Sequence, residues 1–248
     1  MADSITPTRQ QLIETVEFVL GSRDTVLALW LEGADSTGTV DIYSDIDLCC
    51  AVVPGAMDEI EELTRDVLSS FDVLDQDYVS VDEDDRRQIV FHIAKTSPYM
   101  LIDFDLLVDC GSTFYRNDRI EKPLVLFDRS NVIKFRDEIT PDFTSRILEL
   151  DEVVWQSARI EKYLIRGNLL ESFGYYQKYL LQPLIEILRM RYTPLHTDYN
   201  IVHISRDFPA RVVKQLEDLY IFNSLDELES NCREALSWYY RTKIEVLA

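Results

Sequence analysis

Apolar runs broken by short polar stretches fill the first half of the chain, and helical periodicity takes over in the second. Val26 to Leu31 and Ile46 to Val53 read as buried strands, with Gly33 and small polar residues breaking the chain between them. Ahead of them, Thr6 as N-cap, Pro7 at the first helical position and Gly21 past the end bracket a helix. Its apolar stripe is Leu12, Ile13, Val16, Val19 and Leu20. Pro54-Gly55 then turns the chain into an amphipathic helix from Met57 to Phe71, with Ile60, Leu63, Val67 and Leu68 inward. Asp72 to Val81, Gln88 to Ala94 and Tyr99 to Val108 read as strands, and Leu124 to Phe127 as a last short one. The Asp82-Glu83-Asp84-Asp85 run between two of them reads as a solvated loop, with a cation-binding rim as the alternative.

At Thr140-Pro141, a cap followed by proline, the pattern becomes almost wholly helical. Ile147, Leu150, Val154, Ala158 and Leu164 predict one long amphipathic helix, with Gly167 as its C-cap. Asn168 starts a second helix reaching Tyr192, and 209–222 and 225–246 supply two more. The predicted fold class is therefore α+β: a mixed-sheet domain over residues 1–135 and a helical bundle over 136–248.

A chain of 248 residues, 46% hydrophobic and 11% aromatic, buries a sizeable core. No stretch approaches the roughly 18 uncharged apolar residues of a membrane span, and the N-terminus lacks the basic and apolar regions of a signal peptide, so a cytoplasmic location is the default. Cys49, Cys50, Cys110 and Cys232 lack metal-ligand spacing and read as buried thiols. A formal charge of -20 argues against a nucleic-acid surface, which needs clustered Lys and Arg, and no membrane partner is expected. The same field raises the encounter rate of a polycationic small molecule, although ordinary solubility or salt adaptation produces such a charge too.

Charge placement matters most at the second apolar run. Asp45 and Asp47 stand two apart at its start, so their carboxylates share one face. Adjacent like charges raise each other's pKa, and a divalent cation between them reverses that effect; oxygen-only ligation suits Mg²⁺. The alternative is an acidic strand end hydrogen-bonded to a loop. Within YMLIDFDLLV, alternation puts Asp103 and Asp105 on one face of an otherwise apolar strand, where an acid is costly unless paired or metal-bound. Backbone N–H groups of the segment after Gly33 offer a cradle for phosphate.

Gly33 followed by Ser44-Asp45-Ile46-Asp47-Leu48 resembles the signature of the DNA polymerase beta-like nucleotidyltransferase superfamily: Gly-Ser after one strand, then D-x-D on the next. The serine position is Ala34, so the resemblance leaves a backbone N–H for phosphate there and transfers the hydroxyl contact to Ser36 or Thr37. The I-D-F element resembles the I-D-L of antibiotic nucleotidyltransferases and favours Asp103 over Asp105 as third acid. DEVVWQSARIEKYLIRGNLL resembles a helix of streptomycin-type adenylyltransferases, which implies nucleotide contacts for Lys162 and Arg166. Pairing of Lys162 with Glu161 or Glu171 is the competing reading. Trp155, Tyr175 and Asp105 are candidates for the acceptor side, though aromatics at helical spacing also serve as core. Arg191 and His196 form an R-x4-H spacing like that of RNA-cleaving helical partners of minimal nucleotidyltransferases, but Pro194 interrupts it. His92 and His203 read as structural.

The family likeness implies two Mg²⁺ ions held by Asp45, Asp47 and Asp103, ATP as co-substrate, Asp103 as general base, and Gly33, Ala34, Ser36 and Ser44 at the nucleotide. The expected activity is transfer of a nucleoside monophosphate to a hydroxyl of a small cationic acceptor such as an aminoglycoside. Another metabolite, a protein acceptor of the toxin–antitoxin kind, or a silent nucleotide-binding homologue are the alternatives.

Overall fold

The structure, a computed structural model, describes residues 6–108, 113–136, 139 and 141–248, and only the backbone of Phe114. The expectations placed on Cys110 and on the Thr140 cap lie outside the described residues. The chain divides into two compact units, Met1–Glu138 and Ile139–Ala248.

In the first unit, helix α1 (Arg9–Gly21) precedes strand β1 (Val26–Leu31), a short helix α2 (Gly33–Thr37), strand β2 (Ile46–Val52) and helix α3 (Met57–Ser69). Strands β3 (Leu74–Asp82), β4 (Arg86–Ile93), β5 (Ile102–Val108), β6 (Thr113–Arg116), β7 (Leu124–Asp128) and β8 (Ile133–Arg136) follow. Six of them form a mixed sheet in the order β3-β4-β5-β2-β1-β7, and β6 pairs β8 in a separate two-stranded sheet. Only the β2–β5 pairing within the large sheet is parallel.

The two faces of this sheet differ. Leu29, Leu31, Leu48, Cys50, Ile102, Phe104 and Leu106 pack with Leu12, Val16, Leu20 of α1 and Ile60, Leu68 of α3 in one core. On the opposite face Ala28, Trp30, Cys49 and Ala51 pack with Tyr115, Val132 and Ile133 around the small sheet. Burial on both faces is why β1, and β2 from Leu48 on, carry unbroken apolar runs. Edge strand β3 is largely exposed and carries Asp75, Gln76, Asp77 and Ser80, a composition that discourages edge-to-edge pairing.

Several expectations shift. The cap of α1 is Thr8 rather than Thr6, because Gln11 stands three residues on and completes a capping box; Gly21 is the last helical residue, not the one beyond. The polar segment that breaks the chain after Gly33 starts as a short helix, closed by Gly38 at φ +69°. Two strands, β6 and β8, were not foreseen.

In the second unit the expected single helix up to Gly167 is two, α4 (Thr144–Trp155) and α5 (Ala158–Ile165). Across their junction Gln156, Ser157, Arg159 and Ile160 each donate to the carbonyl three residues back, a tightened turn that leaves Ala158 exposed and swings Ile160 into the core. The next helix runs from Leu169 to Tyr192 as α6 (Leu169–Tyr176), a π-helical turn (Gln177–Leu181) and α7 (Gln182–Tyr192). Pro183 follows the widened turn, which accommodates a residue that has no N–H and would crowd the preceding carbonyls of a regular helix. A short α8 (Ile204–Asp207), α9 (Ala210–Tyr220) and α10 (Leu225–Leu247) complete a bundle packed around Tyr176, Leu184, Leu188, Leu228 and Tyr239. The fold is α+β, a mixed sheet followed by helices. Among the described residues no helix is long and apolar enough to cross a membrane.

Candidate metal-binding carboxylate site

Strand register builds the site. The parallel β2–β5 pairing sets Asp47 directly beside Asp103, and side-chain alternation turns both away from the α1/α3 core, whose contacts come from Ile46, Leu48, Ile102 and Phe104. Asp45 stands one residue before β2. Each of Asp45, Asp47 and Asp103 offers a carboxylate oxygen within 4.8 Å of the others. Asp105, on the same face, is engaged elsewhere: Arg86 donates to it from Nε at 2.8 Å and from Nη2 at 3.2 Å. Asp103 and not Asp105 therefore joins the D-x-D pair.

Gly33 has φ +56°, and a Cβ built on it would overlap Asp47 Oδ2 and lie 3.0 Å from its Cγ. The residue is glycine because the Asp47 carboxylate lies against its α-carbon, a steric demand the sequence pattern does not reveal. The Glu32 N–H donates to the Asp47 carbonyl at 3.0 Å, so the end of β1 is tied to the same residue.

Electrostatics make the cluster incomplete by itself. Burial, then Asp45, Asp103, Glu32 and Asp35, push the Asp47 carboxyl from its ordinary 3.8 up to about 7. Asp103 is raised by burial, Asp45 and Asp105. Half-buried carboxylates that repel one another across a few ångströms fit a hard divalent cation, which prefers oxygen donors alone.

Two residues missed from sequence complete the surroundings. Glu32 Oε1 accepts from Trp30 Nε1 at 3.0 Å, from the Tyr115 hydroxyl and from Cys49 Sγ at 3.4 Å, which anchors an acid beside Asp47. Its one signal was a charged residue closing an apolar strand. Arg9 reaches Asp35 and the Ser44 and Asp45 carbonyls, contacts between residues 26 to 36 positions apart, with no local pattern to announce them.

The other predicted site residues are placed as follows. Ala34 follows Gly33 in α2. Ser36 Oγ and Thr37 Oγ1 both donate to the Gly33 carbonyl, at 3.0 and 2.9 Å. Ser44 Oγ accepts from the Asp41 N–H at 2.9 Å and donates to its carboxylate at 3.0 Å. Lys162, Arg166, Trp155 and Tyr175 belong to the second unit. Lys162 and Arg166 are exposed and lie over the Tyr163 ring at 5.4 and 5.7 Å. Tyr163 stacks on Tyr175 and Tyr175 on Tyr179, with Lys178 over the last ring. Trp155 is 84% exposed and is not core. Arg191 pairs with Glu245, and α7 ends at Tyr192, so Arg191 and the buried His196 do not share a helix. His92 is held by Asp75 at 2.5 Å and the Ser97 carbonyl at 2.9 Å.

No family model matches the chain, and no curated protein is similar to it in sequence. Among solved structures it is similar to an aminoglycoside 6-adenyltransferase from Bacillus subtilis, 12% identical over 97% of this chain and 92% of that one, with a TM-score of 0.42. It is similar to the CdnE cyclic dinucleotide synthase of Elizabethkingia meningoseptica, 17% identical over 96% and 90% of the two chains, with a TM-score of 0.31. A chain of the GLD-2/RNP-8 complex is 12% identical over 93% of this chain and 69% of that one, at a TM-score of 0.31.

Proposed function

We propose that the chain is a magnesium-dependent nucleotidyltransferase that moves a nucleoside monophosphate, AMP from ATP, onto a hydroxyl of a small cationic acceptor such as an aminoglycoside. One observation carries the reading: Asp45, Asp47 and Asp103 converge from separate stretches of sequence into a cluster whose mutual repulsion a divalent cation would relieve. Magnesium, held by these three, would supply charge neutralisation at the triphosphate.

The chain's own residues do the rest. Asp103, its carboxyl raised by burial and by Asp45, is suited to accept the proton of the acceptor hydroxyl as that oxygen attacks the α-phosphorus and pyrophosphate departs. Backbone N–H groups at Gly33 and Ala34 are assigned the phosphates, with Ser36 and Ser44 beside them. Lys162 and Arg166 are assigned the nucleotide's negative charge: in a chain of charge -20 they lie over a tyrosine ring, and among the described residues no carboxylate pairs with them. Trp155, Tyr175 and Asp105 are assigned to the acceptor, whose positive charge the acidic surface favours.

Incubating the protein with α-labelled ATP, Mg²⁺ and a panel of aminoglycosides tests this. Label on a drug, with pyrophosphate released only when drug is present, is the expected result. Label on the protein itself would move the acceptor to protein, and nucleotide binding with no transfer to any acceptor would overturn the reading in favour of a silent homologue.

A further inference from the structure

Arg9 is the first residue of α1, within the Thr8–Gln11 capping box, and only 17% of its side chain is exposed. Its guanidinium uses three nitrogens. Nε donates to Asp35 Oδ1 at 3.2 Å and Nη2 to Asp35 Oδ2, which fastens α2; Nη1 donates to the Ser44 carbonyl at 3.0 Å and Nη2 also to the Asp45 carbonyl. These two carbonyls lie just ahead of β2, at the point where the chain delivers the D-x-D carboxylates. A helix start, a short helix and the ligand-bearing segment thus meet on one side chain.

We infer that Arg9 is a positioning residue whose planar fork holds the Asp45 backbone and α2 in the arrangement that lets Asp45 and Asp47 grip a divalent cation together. This rests on the nucleotidyltransferase reading. A rival role gives the opposite sign. If Arg9 acted only as a counter-charge to Asp35 and its acidic neighbours, removing it would leave the cluster more negative and tighten cation binding. If Arg9 positions the cluster, removing it frees the Asp45 peptide and weakens binding, and lysine, which keeps the charge but not the fork, does not restore it.

The test is Mn²⁺ affinity of the full chain without nucleotide, read from the paramagnetic signal of free Mn²⁺, beside thermal midpoints. Arg9→Gln and Arg9→Lys should both weaken Mn²⁺ binding by about tenfold or more, the scale seen when outer partners of metal ligands are removed. Asp35→Asn, which leaves the two carbonyl bonds, should weaken it less, and Thr8→Ala, which loosens only the helix start, should leave it within about twofold of wild type. Where Arg9→Gln does not fold, Arg9→Lys and Asp35→Asn carry the same comparison. Tighter binding by Arg9→Gln, wild-type affinity in Arg9→Lys, or a lowered thermal midpoint with unchanged Mn²⁺ affinity would each overturn the inference. Wild-type protein that binds no Mn²⁺ fails earlier, and removes the nucleotidyltransferase reading together with the inference built on it.

Discussion

Two regions of the molecule bury charge in opposite ways. In the helical unit Arg189 and Asp207 are both fully buried and fully compensated. Arg189 donates to Asp207 at 2.8 Å, to the Asn200 and Val202 carbonyls and to Thr193 Oγ1, and its plane lies over Phe208. Asp207 in turn accepts from Arg206 at 2.9 Å, and its carboxyl is held below the usual range although burial alone would raise it. In the sheet unit Asp45, Asp47 and Asp103 gather with Glu32 and Asp35 nearby, and the result is a carboxyl pushed up to about 7. The first arrangement fixes the 193–208 segment onto α7. The second leaves negative charge without a counter-charge, a place that an external cation would fit, so the measure that separates the two here is compensation and not burial.

That contrast fails or sharpens under substitution. Asp207→Asn strands a buried guanidinium and should cost about 3–5 kcal/mol, read as a lower denaturation midpoint. Asp47→Asn should do the reverse: transfer activity falls by at least about a hundredfold, as when a group that stabilises transition-state charge is removed, while the metal-free thermal midpoint holds or rises because repulsion is relieved. Asp47→Asn that destabilises the protein as much as Asp207→Asn would erase the distinction. Gly33→Ala drives a methyl into the Asp47 carboxylate at a positive φ, and should cost Mg²⁺ affinity by about tenfold or more, judged by titration calorimetry.

A smaller effect follows from pH. The Asp47 carboxyl ordinarily loses its proton near 3.8 and in the folded protein keeps it to about 7, so the folded state binds more protons than the unfolded state between those values. Metal-free stability should therefore decline as pH rises from about 4 to about 7, and saturating Mg²⁺ should flatten the slope. His92 adds to the same trend. Burial opposes its charge, but the Ser97 carbonyl and Asp75 both accept from the ring and raise its pKa overall, so its contribution is complete below 6.5 and fades as pH climbs through the raised value. His92→Gln should remove only the later part of the decline. The smallest change is expected for Asp105→Asn: it loses an exposed pair with Arg86, worth at most about 1 kcal/mol, and keeps Mg²⁺ affinity.

Much of this was legible in the residues because period and register enforce it. Strands β1 and β2 announce themselves as apolar runs, and D-x-D on a strand has to share a face. The pairing of Asp47 with Asp103 follows from the parallel register, but alternation alone put Asp103 and Asp105 on one face; the I-D-F resemblance favoured Asp103, and its physical reason lies in Arg86 on the neighbouring strand β4, which engages Asp105. The division of α4 from α5 was hidden because a tightened turn at Gln156 and Ser157 keeps the residues helical in character while moving the apolar stripe. Strands β6 and β8 span four residues each and depend on Trp30 and Tyr115 for burial, so their local pattern carries little signal. Arg9 and Glu32 act through contacts distant in sequence, which periodicity does not report.

The central claim is that the carboxylate cluster awaits a divalent cation, and proton release on Mg²⁺ binding tests it most directly. Calorimetric titration at pH 6 in buffers of different ionisation enthalpy should show close to one proton displaced per cluster filled, as Asp47 gives up the proton it retains there, and almost none at pH 9. Mg²⁺ binding at pH 6 with no proton released, or no binding at either pH, would contradict the account.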